Sequence, residues 1–158
     1  MDNIRVIQGD LLARDLRFAL VAARFNDSIV DNLIRGATDA LLRHGASEKQ
    51  IELIRVPGAF DLPAVVRRVA GSRRFDAVIA LGAVIRGATP HFDLVTAQCA
   101  AGLARASEET GVPVAFGVLT TDTIEQAVER SGTKAGNRGF DAALAALELA
   151  NLLRRLEG

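Results

Sequence analysis

Short apolar runs alternate with longer amphipathic segments along most of the chain, and each apolar run stops at a turn rich in glycine, proline or polar residues. Such runs are typical of strands that are buried on both faces of a parallel sheet. Four strands are predicted in this way: Leu16 to Ala23, Ile51 to Val56, Phe75 to Leu81 and Val114 to Leu119. Their alternation with helices predicts an α/β fold, a three-layer αβα sandwich with a mostly parallel four-stranded sheet.

Helical spacing of apolar residues fills the intervals between these strands. The first helix begins at Asn26, Asp27 and Ser28, which supply side chains that can cap it, and it ends at about His44, before Gly45. His44 is therefore predicted to favour the helix dipole rather than to take part in chemistry. Further helices are predicted from Asp61 onward, from Phe92 to Thr110, from Thr123 through Arg130 and, after a turn from Ser131 to Asn137, from Arg138 to Leu156.

The segment before the first clear strand is less regular than the rest of the chain. Arg5 to Leu12 alternates weakly and is predicted to be a peripheral strand that belongs to an arm. No linker or change of composition divides residues 1–158, so the chain is predicted to fold as one domain. A domain of this length buries roughly 70% of its unfolded surface.

Charge and cysteine content narrow the class of partner. Lys and Arg together number 19, as do Asp and Glu, so neither a nucleic acid nor an anionic membrane is expected as the main partner. Cys99 is the only cysteine, which excludes an internal disulfide and predicts a buried, inert thiol. No segment approaches the ~18 apolar residues of a membrane span, and a soluble cytoplasmic protein with a small-molecule partner is expected.

The segment from Gly82 to His91 follows the third predicted strand, which is expected to stop at Gly82. The small residues Ala88 and Thr89 let a ligand approach the backbone closely, and the helix that follows would present free amides to a phosphate. His91 would lie beside that phosphate. An ordinary strand-to-helix turn, in which His91 only caps the helix, explains the same pattern equally well.

Two phenylalanines also follow predicted strands at the same edge of the sheet. Ligands of parallel sheets bind beyond the carboxyl ends of the strands, so Phe25 and Phe60 are candidates for walls that stack on a planar ligand. Core packing is the alternative for any single phenylalanine, and for Phe116, inside a strand, the residues alone favour it. Arg130 and Lys134 could clamp a phosphate or simply be solvated.

The absence of several known motifs excludes the classes of chemistry that depend on them. The chain has no Gly-x-Ser-x-Gly elbow, no phosphate-binding loop with its lysine and no paired histidine and acid metal signature, which leaves proton transfer and phosphate handling. A flavin-binding module, a signalling receiver and a noncatalytic ligand carrier are the alternatives. A receiver would need an aspartate at the end of the central strand, where this chain has Gly82 and Ala83.

Five segments together carry a resemblance that covers almost the whole chain. They are Arg24-Phe25-Asn26, Val56-Pro57-Gly58-Ala59-Phe60, Leu81 to His91, Gly117-Val118-Leu119-Thr120-Thr121 and Glu129 to Asn137. The chain resembles the 6,7-dimethyl-8-ribityllumazine synthase family, the penultimate enzymes of riboflavin biosynthesis. The resemblance implies a flavodoxin-like fold and the condensation of 5-amino-6-(D-ribitylamino)uracil with 3,4-dihydroxy-2-butanone 4-phosphate, releasing phosphate and water, with no metal and no organic cofactor.

The resemblance also implies a role for each matching residue. His91 matches the family's proton-transfer histidine, and Phe25 would stack on the pyrimidine. Residues that would hold the pyrimidine ring and its ribityl chain are Ala59, Phe60, Asp61, Ala83, Val84 and Ile85, and the amides of Ala88 and Thr89 would hold the phosphate. Phe116 and Arg130 match residues supplied by the adjacent subunit. Lys134 is a further candidate for substrate binding.

One position departs from the family pattern, since Asp61 stands where the family usually has glutamate. Its carboxylate is one methylene shorter, and a water bridge or a small helix shift would compensate. For assembly, the resemblance implies pentamers whose N-terminal strand pairs with a neighbouring subunit. The compact segment from Gly132 to Asn137 favours an icosahedral shell of twelve pentamers, with riboflavin synthase as a candidate partner.

Overall fold

The computed structural model describes residues 2–158 and contains a four-stranded parallel sheet. In chain order its strands are β1 (Phe18–Ala23), β2 (Ile51–Val56), β3 (Ala77–Ile85) and β4 (Val114–Thr121). They lie side by side in the order β2-β1-β3-β4, which leaves β2 and β4 at the edges. The predicted α/β class and four-stranded parallel sheet are confirmed.

Five α-helices connect and cover these strands. They are α1 (Asp27–Arg43), α2 (Leu62–Gly71), α3 (His91–Thr110), α4 (Ile124–Glu129) and α5 (Arg138–Glu157), with short 3-10 turns at Glu48–Gln50 and Ala59–Asp61. Among the helices of residues 2–158, none combines the length and apolar character that crossing a bilayer requires.

The core lies on both faces of the sheet because side chains of successive strand residues point to opposite sides. Leu20 and Ile79 pack with α1 and α5 on one face, while Val21 and Val78 pack with α2 and α3 on the other. Cys99 of α3 belongs to the second face and is 1% exposed. The three-layer arrangement follows from this division.

The third strand is longer than its sequence predicts. The expectation that it stops at Gly82 is wrong, since β3 continues to Ile85 and its pairing with β4 runs from Val78 opposite Val114 to Ile85 opposite Thr121. A Cβ on Gly82 would meet neighbouring atoms at ordinary distances of 3.5 Å or more, so this glycine does not mark a break. Pairing with β4 keeps Gly82 and the residues after it within the strand.

Helix ends follow the predicted chemistry with one exception. His44 is the C-terminal cap of α1, where its Nδ1 lies 2.7 Å from the carbonyl oxygen of Ala40, and Thr123 caps α4 by accepting from the backbone N–H of Gln126. The expectation that Asn26 caps α1 through its side chain is wrong. Its backbone is left-handed, with φ of 65°, and its side chain donates to the carbonyl of Ala83 in β3.

The N-terminal arm lies outside the sheet of its own chain, and the segment before α5 differs from prediction. Arg5 to Leu12 forms no strand with any part of residues 2–158, and lies instead against α5, where Asn151 Nδ2 donates to the carbonyl of Asp10 at 2.9 Å. The expected turn from Ser131 to Asn137 is a short antiparallel hairpin of β5 (Ser131–Thr133) and β6 (Gly136–Asn137).

Candidate functional site

A cavity of about 720 Å³ opens at the carboxyl edge of the sheet, where the loops after β1 and β2 meet the end of β3 and the start of α3. A cavity of this size is in the range of small-molecule sites. Its lining residues are Phe25, Asn26, Gly58, Ala59, Phe60, Asp61, Ala83, Val84, Ile85, His91, Leu94, Val95 and Gln98.

Most of the predicted site residues lie in this one cavity. The structure brings together Phe25, Ala59, Phe60, Asp61, Ala83, Val84, Ile85 and His91, although they come from four separate parts of the chain. Parallel strands place their carboxyl ends at the same edge, which is why loops distant in sequence converge there.

Two phenyl rings form the apolar walls of the cavity. Phe25 is 73% exposed and Phe60 is 64% exposed, so neither ring is buried in the core of this chain. Large exposed aromatic side chains beside a concave site favour stacking on a flat ligand over a packing role. The interpretation of both residues as core phenylalanines is therefore wrong.

The position of Phe25 is set by hydrogen bonds on both sides of the cavity. Its backbone N–H donates to the carbonyl of Pro57 at 3.1 Å, which extends the pairing of β1 with β2. The next residue, Asn26, donates from Nδ2 to the carbonyl of Ala83 at 2.8 Å, tying the same turn to β3. These bonds fix the aromatic wall relative to the floor of the cavity.

Asp61 lines the cavity and also shapes the loop that carries Phe60. One carboxylate oxygen, Oδ2, accepts from the backbone N–H of Gly58 at 3.0 Å. The backbone N–H of Asp61 donates in return to the carbonyl of Gly58, and this second bond closes the 3-10 turn. Oδ1 has no hydrogen-bond partner within residues 2–158 and is available to a ligand hydroxyl.

His91 is the first residue of α3, and its exposed side chain lines the cavity. The exposed residues Ala88 and Thr89 lie just before it, outside the cavity lining, and their amides bond to no other group within residues 2–158. A 20-residue helix begins here, so its dipole favours an anion at this end.

Two groups near the site have shifted pKa values, each with a clear cause. A hydrogen bond to Asp122 raises the pKa of the Arg86 guanidinium, which keeps its positive charge. Burial raises the pKa of the Cys99 thiol to about 11, so the thiol is protonated and unreactive near neutral pH. The predicted burial of Cys99 is confirmed.

A second, smaller cleft lies along the edge strand β4, apart from the first. Its volume is about 310 Å³, and Phe116, Arg130 and Arg138 are among the residues that line it. Phe116 is 39% exposed, so the core position that the residues alone favoured is wrong. Arg130 directly follows α4, and its Nη1 donates to the carbonyl of Gln126 in that helix at 3.2 Å.

Lys134 lies in neither space. It occupies the exposed connection between β5 and β6, two residues before the second strand of the hairpin begins. One chain therefore does not bring Phe116, Arg130 or Lys134 to the cavity that holds His91.

Sequence reasoning missed several lining residues for which a signal was present. Leu94, Val95 and Gln98 follow His91 at three, four and seven residues, the spacing of one helix face, so placing His91 at the site also places them. Arg138 is the first residue of α5, where a cation opposes the helix dipole, and that conflict marks it as a candidate for a functional role.

Within residues 2–158, no group of three or more His, Cys, Asp or Glu side chains is arranged to hold a metal ion. The chemistry that the lining residues themselves offer is stacking, hydrogen bonding, anion binding by backbone amides and proton transfer by an imidazole.

Comparison with known proteins identifies the relatives of this chain. The family model for 6,7-dimethyl-8-ribityllumazine synthase matches residues 15–154. A 6,7-dimethyl-8-ribityllumazine synthase of Halorhodospira halophila is 61% identical over 155 residues, which is 98% of this chain and 99% of the relative. Another, from Chlorobium luteolum, is 59% identical over 98% of this chain and 99% of its own length. The chain belongs to the 6,7-dimethyl-8-ribityllumazine synthase family.

Proposed function

We propose that this chain is a transferase of riboflavin biosynthesis that condenses 5-amino-6-(D-ribitylamino)uracil with 3,4-dihydroxy-2-butanone 4-phosphate. The products are 6,7-dimethyl-8-ribityllumazine, phosphate and water. The observation that carries the proposal is the single cavity in which Phe25, Phe60 and His91 meet at the start of a long helix, in a chain of this family.

The pyrimidine occupies the apolar part of the cavity. Phe25 stacks on its ring, because this phenyl group is exposed and its turn is held by bonds to β2 and β3. The segment Ala83–Ile85 at the end of β3 and the turn Ala59–Asp61 hold the ring edge and the ribityl chain, with Asp61 Oδ1 accepting from a hydroxyl.

The phosphate of the second substrate binds before α3. The free amides of Ala88 and Thr89 donate to its oxygens, and the dipole of the helix adds a favourable field. This site places the four-carbon substrate next to His91, which begins the helix and lines the pyrimidine cavity. The two reactants thus meet on the same side of the sheet edge.

The reaction follows from this placement. The primary amine of the pyrimidine attacks the ketone and forms an imine with loss of one water. Phosphate is then eliminated, the resulting enol becomes a second carbonyl, and the second amine attacks this carbonyl and closes the ring with loss of another water. Because the substrate supplies both nucleophiles, no protein nucleophile is needed, and holding the reactants together supplies several kcal/mol of the barrier reduction. His91 acts as the proton donor and acceptor, which contributes roughly 10²-fold or more.

A neighbouring subunit completes the site. Phe116 and Arg130 line a separate cleft on an exposed edge strand, so they can reach the phosphate only if the cleft of one subunit faces the cavity of another. Arg130 then clamps the phosphate with its planar guanidinium, and Lys134 adds positive charge from the hairpin.

The assembly that this requires is a homo-oligomer of single-domain subunits in the cytoplasm. The exposed apolar residues Ile4, Val6 and Leu12 of the arm support pairing of the N-terminal segment with a neighbour's sheet. We infer a pentamer, and from the compact hairpin before α5 a shell of twelve pentamers in which riboflavin synthase is a candidate partner. Sedimentation of the purified protein tests the shell, and a pentamer alone would overturn it.

The reaction itself is tested by mixing the purified protein with the two substrates and following lumazine fluorescence and phosphate release together. Both signals should rise in equal amounts and only when both substrates are present. Binding of the pyrimidine without any product would contradict the proposed activity and indicate a ligand carrier.

A further inference from the structure

Arg86 lies between β3 and the loop that leads to His91, and it contacts three elements. Its backbone N–H donates to the carbonyl of Thr121 at 2.8 Å, which fixes its main chain to the end of β4. Its side chain reaches the turn after β4, where Nε donates to Asp122 at 2.9 Å. It also reaches the first turn of α3.

The contact with α3 has two parts. Nη1 lies 3.4 Å from a carboxylate oxygen of Asp93, and the guanidinium carbon lies 4.3 Å from the centre of the Phe92 ring. These residues directly follow His91 in the helix. A planar guanidinium suits this combination of a carboxylate on its edge and an aromatic ring on its face.

The loop between Arg86 and the helix has little other support. Its residues, Gly87 to Pro90, are all exposed, and a Cβ placed on Gly87 would meet no atom within 4 Å. Arg86 thus bonds to the end of β4 through its backbone at one end of the loop, and its side chain contacts α3 at the other end. The loop contains the amides of Ala88 and Thr89, so the contacts of Arg86 with α3 limit where those amides can lie.

Arg86 is poorly suited to bind the phosphate itself. Its guanidinium is accompanied by the carboxylates of both Asp93 and Asp122, so the three side chains together carry a negative charge. An added anion would be repelled by the two carboxylates. The arrangement therefore suits a brace, meaning a side chain that holds the start of α3 against the end of β4, rather than a group that binds an anion.

We propose that Arg86 is a positioning residue that holds the first turn of α3, and with it His91 and the amides of Ala88 and Thr89, in place over the end of the sheet. The inference rests on the proposed function, because it gives Arg86 a part in the same reaction. Exposed ion pairs contribute little to stability, so loss of the brace should loosen the helix start without unfolding the chain.

The test is Arg86→Met, which keeps an apolar side chain and removes all the polar contacts of the guanidinium. For this variant we expect kcat to fall about tenfold and the KM for the phosphorylated four-carbon substrate to rise about fivefold, because the phosphate and the histidine lose their common placement. The KM for the pyrimidine should change by less than about twofold, since its cavity walls are held by other bonds.

The chain offers a closely matched control in Arg74→Met. Arg74 is an exposed arginine whose Nη2 lies 2.6 Å from Glu52 and whose guanidinium lies 5.0 Å from the centre of the Phe75 ring, before the start of β3. It thus repeats the pairing of a carboxylate with an aromatic ring at the opposite end of β3. This variant should keep all kinetic constants within about twofold of wild type.

Two further variants keep the inference falsifiable if Arg86→Met does not assemble. Asp122→Asn leaves Arg86 in place but weakens its strongest hydrogen bond, and should shift the same two constants by about threefold in the same direction. Arg86→Lys keeps the charge without the planar fork and should recover part of the lost kcat.

The kinetic results separate a failure of the proposed role of Arg86 from a failure of the proposed reaction. The positioning role of Arg86 would be refuted if Arg86→Met and Arg74→Met had equal kinetic constants. It would also be refuted if Asp122→Asn left kcat and the KM for the phosphorylated substrate unchanged, or lowered that KM. Wild-type protein that makes no lumazine would refute the proposed function instead, so the two failures can be told apart.

Discussion

The cavity after β1, β2 and β3 and the cleft along β4 differ in how complete they are within one chain. The cavity holds about 720 Å³ and is walled by four segments that hydrogen bonds tie together, whereas the cleft holds about 310 Å³ on an edge strand. The first is organised for a flat ring by this chain alone. The second lies open along the edge strand, so under the proposed function another subunit lies opposite Phe116 and Arg130.

The difference shows what a single α/β subunit can build. Central strands converge at one edge and preorganise a site, but an edge strand lacks a neighbour on one side. A residue on that strand can serve the same reaction only through a second copy. Substitutions in the cavity and in the cleft should therefore have different effects, the largest of them at His91.

Removing the imidazole tests the cavity's chemistry. His91→Ala should lower kcat by about 100-fold while the KM for the pyrimidine stays within about threefold, because general acid and base catalysis is lost but stacking is kept. Measurable turnover should remain, since positioning of the reactants survives. Complete loss of turnover, with unchanged folding and pyrimidine binding, would contradict this division of roles.

Removing a guanidinium tests the cleft. Arg130→Met should lower kcat/KM for the phosphorylated substrate by about 30-fold, in line with the loss of about 2 kcal/mol from a charge-assisted hydrogen bond. Arg43→Met, which removes an exposed arginine of α1 that is paired with Asp39, is the control and should be unaffected. An Arg130→Met enzyme with wild-type kinetics would remove the cleft from the active site.

Removing the aromatic wall tests stacking separately from stability. Phe25→Ala should raise the KM for the pyrimidine about tenfold, equivalent to about 1.4 kcal/mol, while the free energy of unfolding hardly changes because the ring is 73% exposed. Phe18→Ala is the contrast, since this ring is fully buried and its truncation should cost about 3–5 kcal/mol of stability. Equal losses of stability in the two variants would contradict the site role of Phe25.

The smallest effect is expected where the chain departs from its family. Asp61→Glu should change the KM for the pyrimidine by less than about threefold, because Oδ1 of the present aspartate is already free for a ligand while Oδ2 holds the Gly58 amide. Titration of the ribitylated pyrimidine against both proteins measures the change in affinity. A tenfold gain in affinity would show that Asp61 does not reach the ribityl hydroxyls.

Much of the fold could be predicted from the sequence because its strands are continuous apolar runs. The bounds of β2 agree with prediction at both ends, and the start of α3 agrees within one residue. The end of β3 could not be predicted, since a glycine inside a paired strand looks the same in sequence as one that ends it. Pairing with β4, a tertiary contact, decides the matter.

The site was predictable to a similar depth. Turns after strands, combined with the family resemblance, indicated Phe25, Asp61 and His91, all of which line one cavity. Asn26 was missed because its side chain bonds across to Ala83, 57 residues away, rather than to its own helix. The spacing of residues within one chain carries no direct signal for contacts that two copies share.

Complementation between two impaired variants tests the shared site most directly. A Phe25→Ala subunit has a damaged cavity and an intact cleft, while an Arg130→Met subunit has the reverse. If each site combines one subunit's cavity with a neighbour's cleft, co-expression in equal amounts should leave about a quarter of the sites intact by random assembly. A kcat/KM near that fraction of the wild-type value is the predicted result, and a kcat/KM no higher than the average of the two separate variants would contradict it.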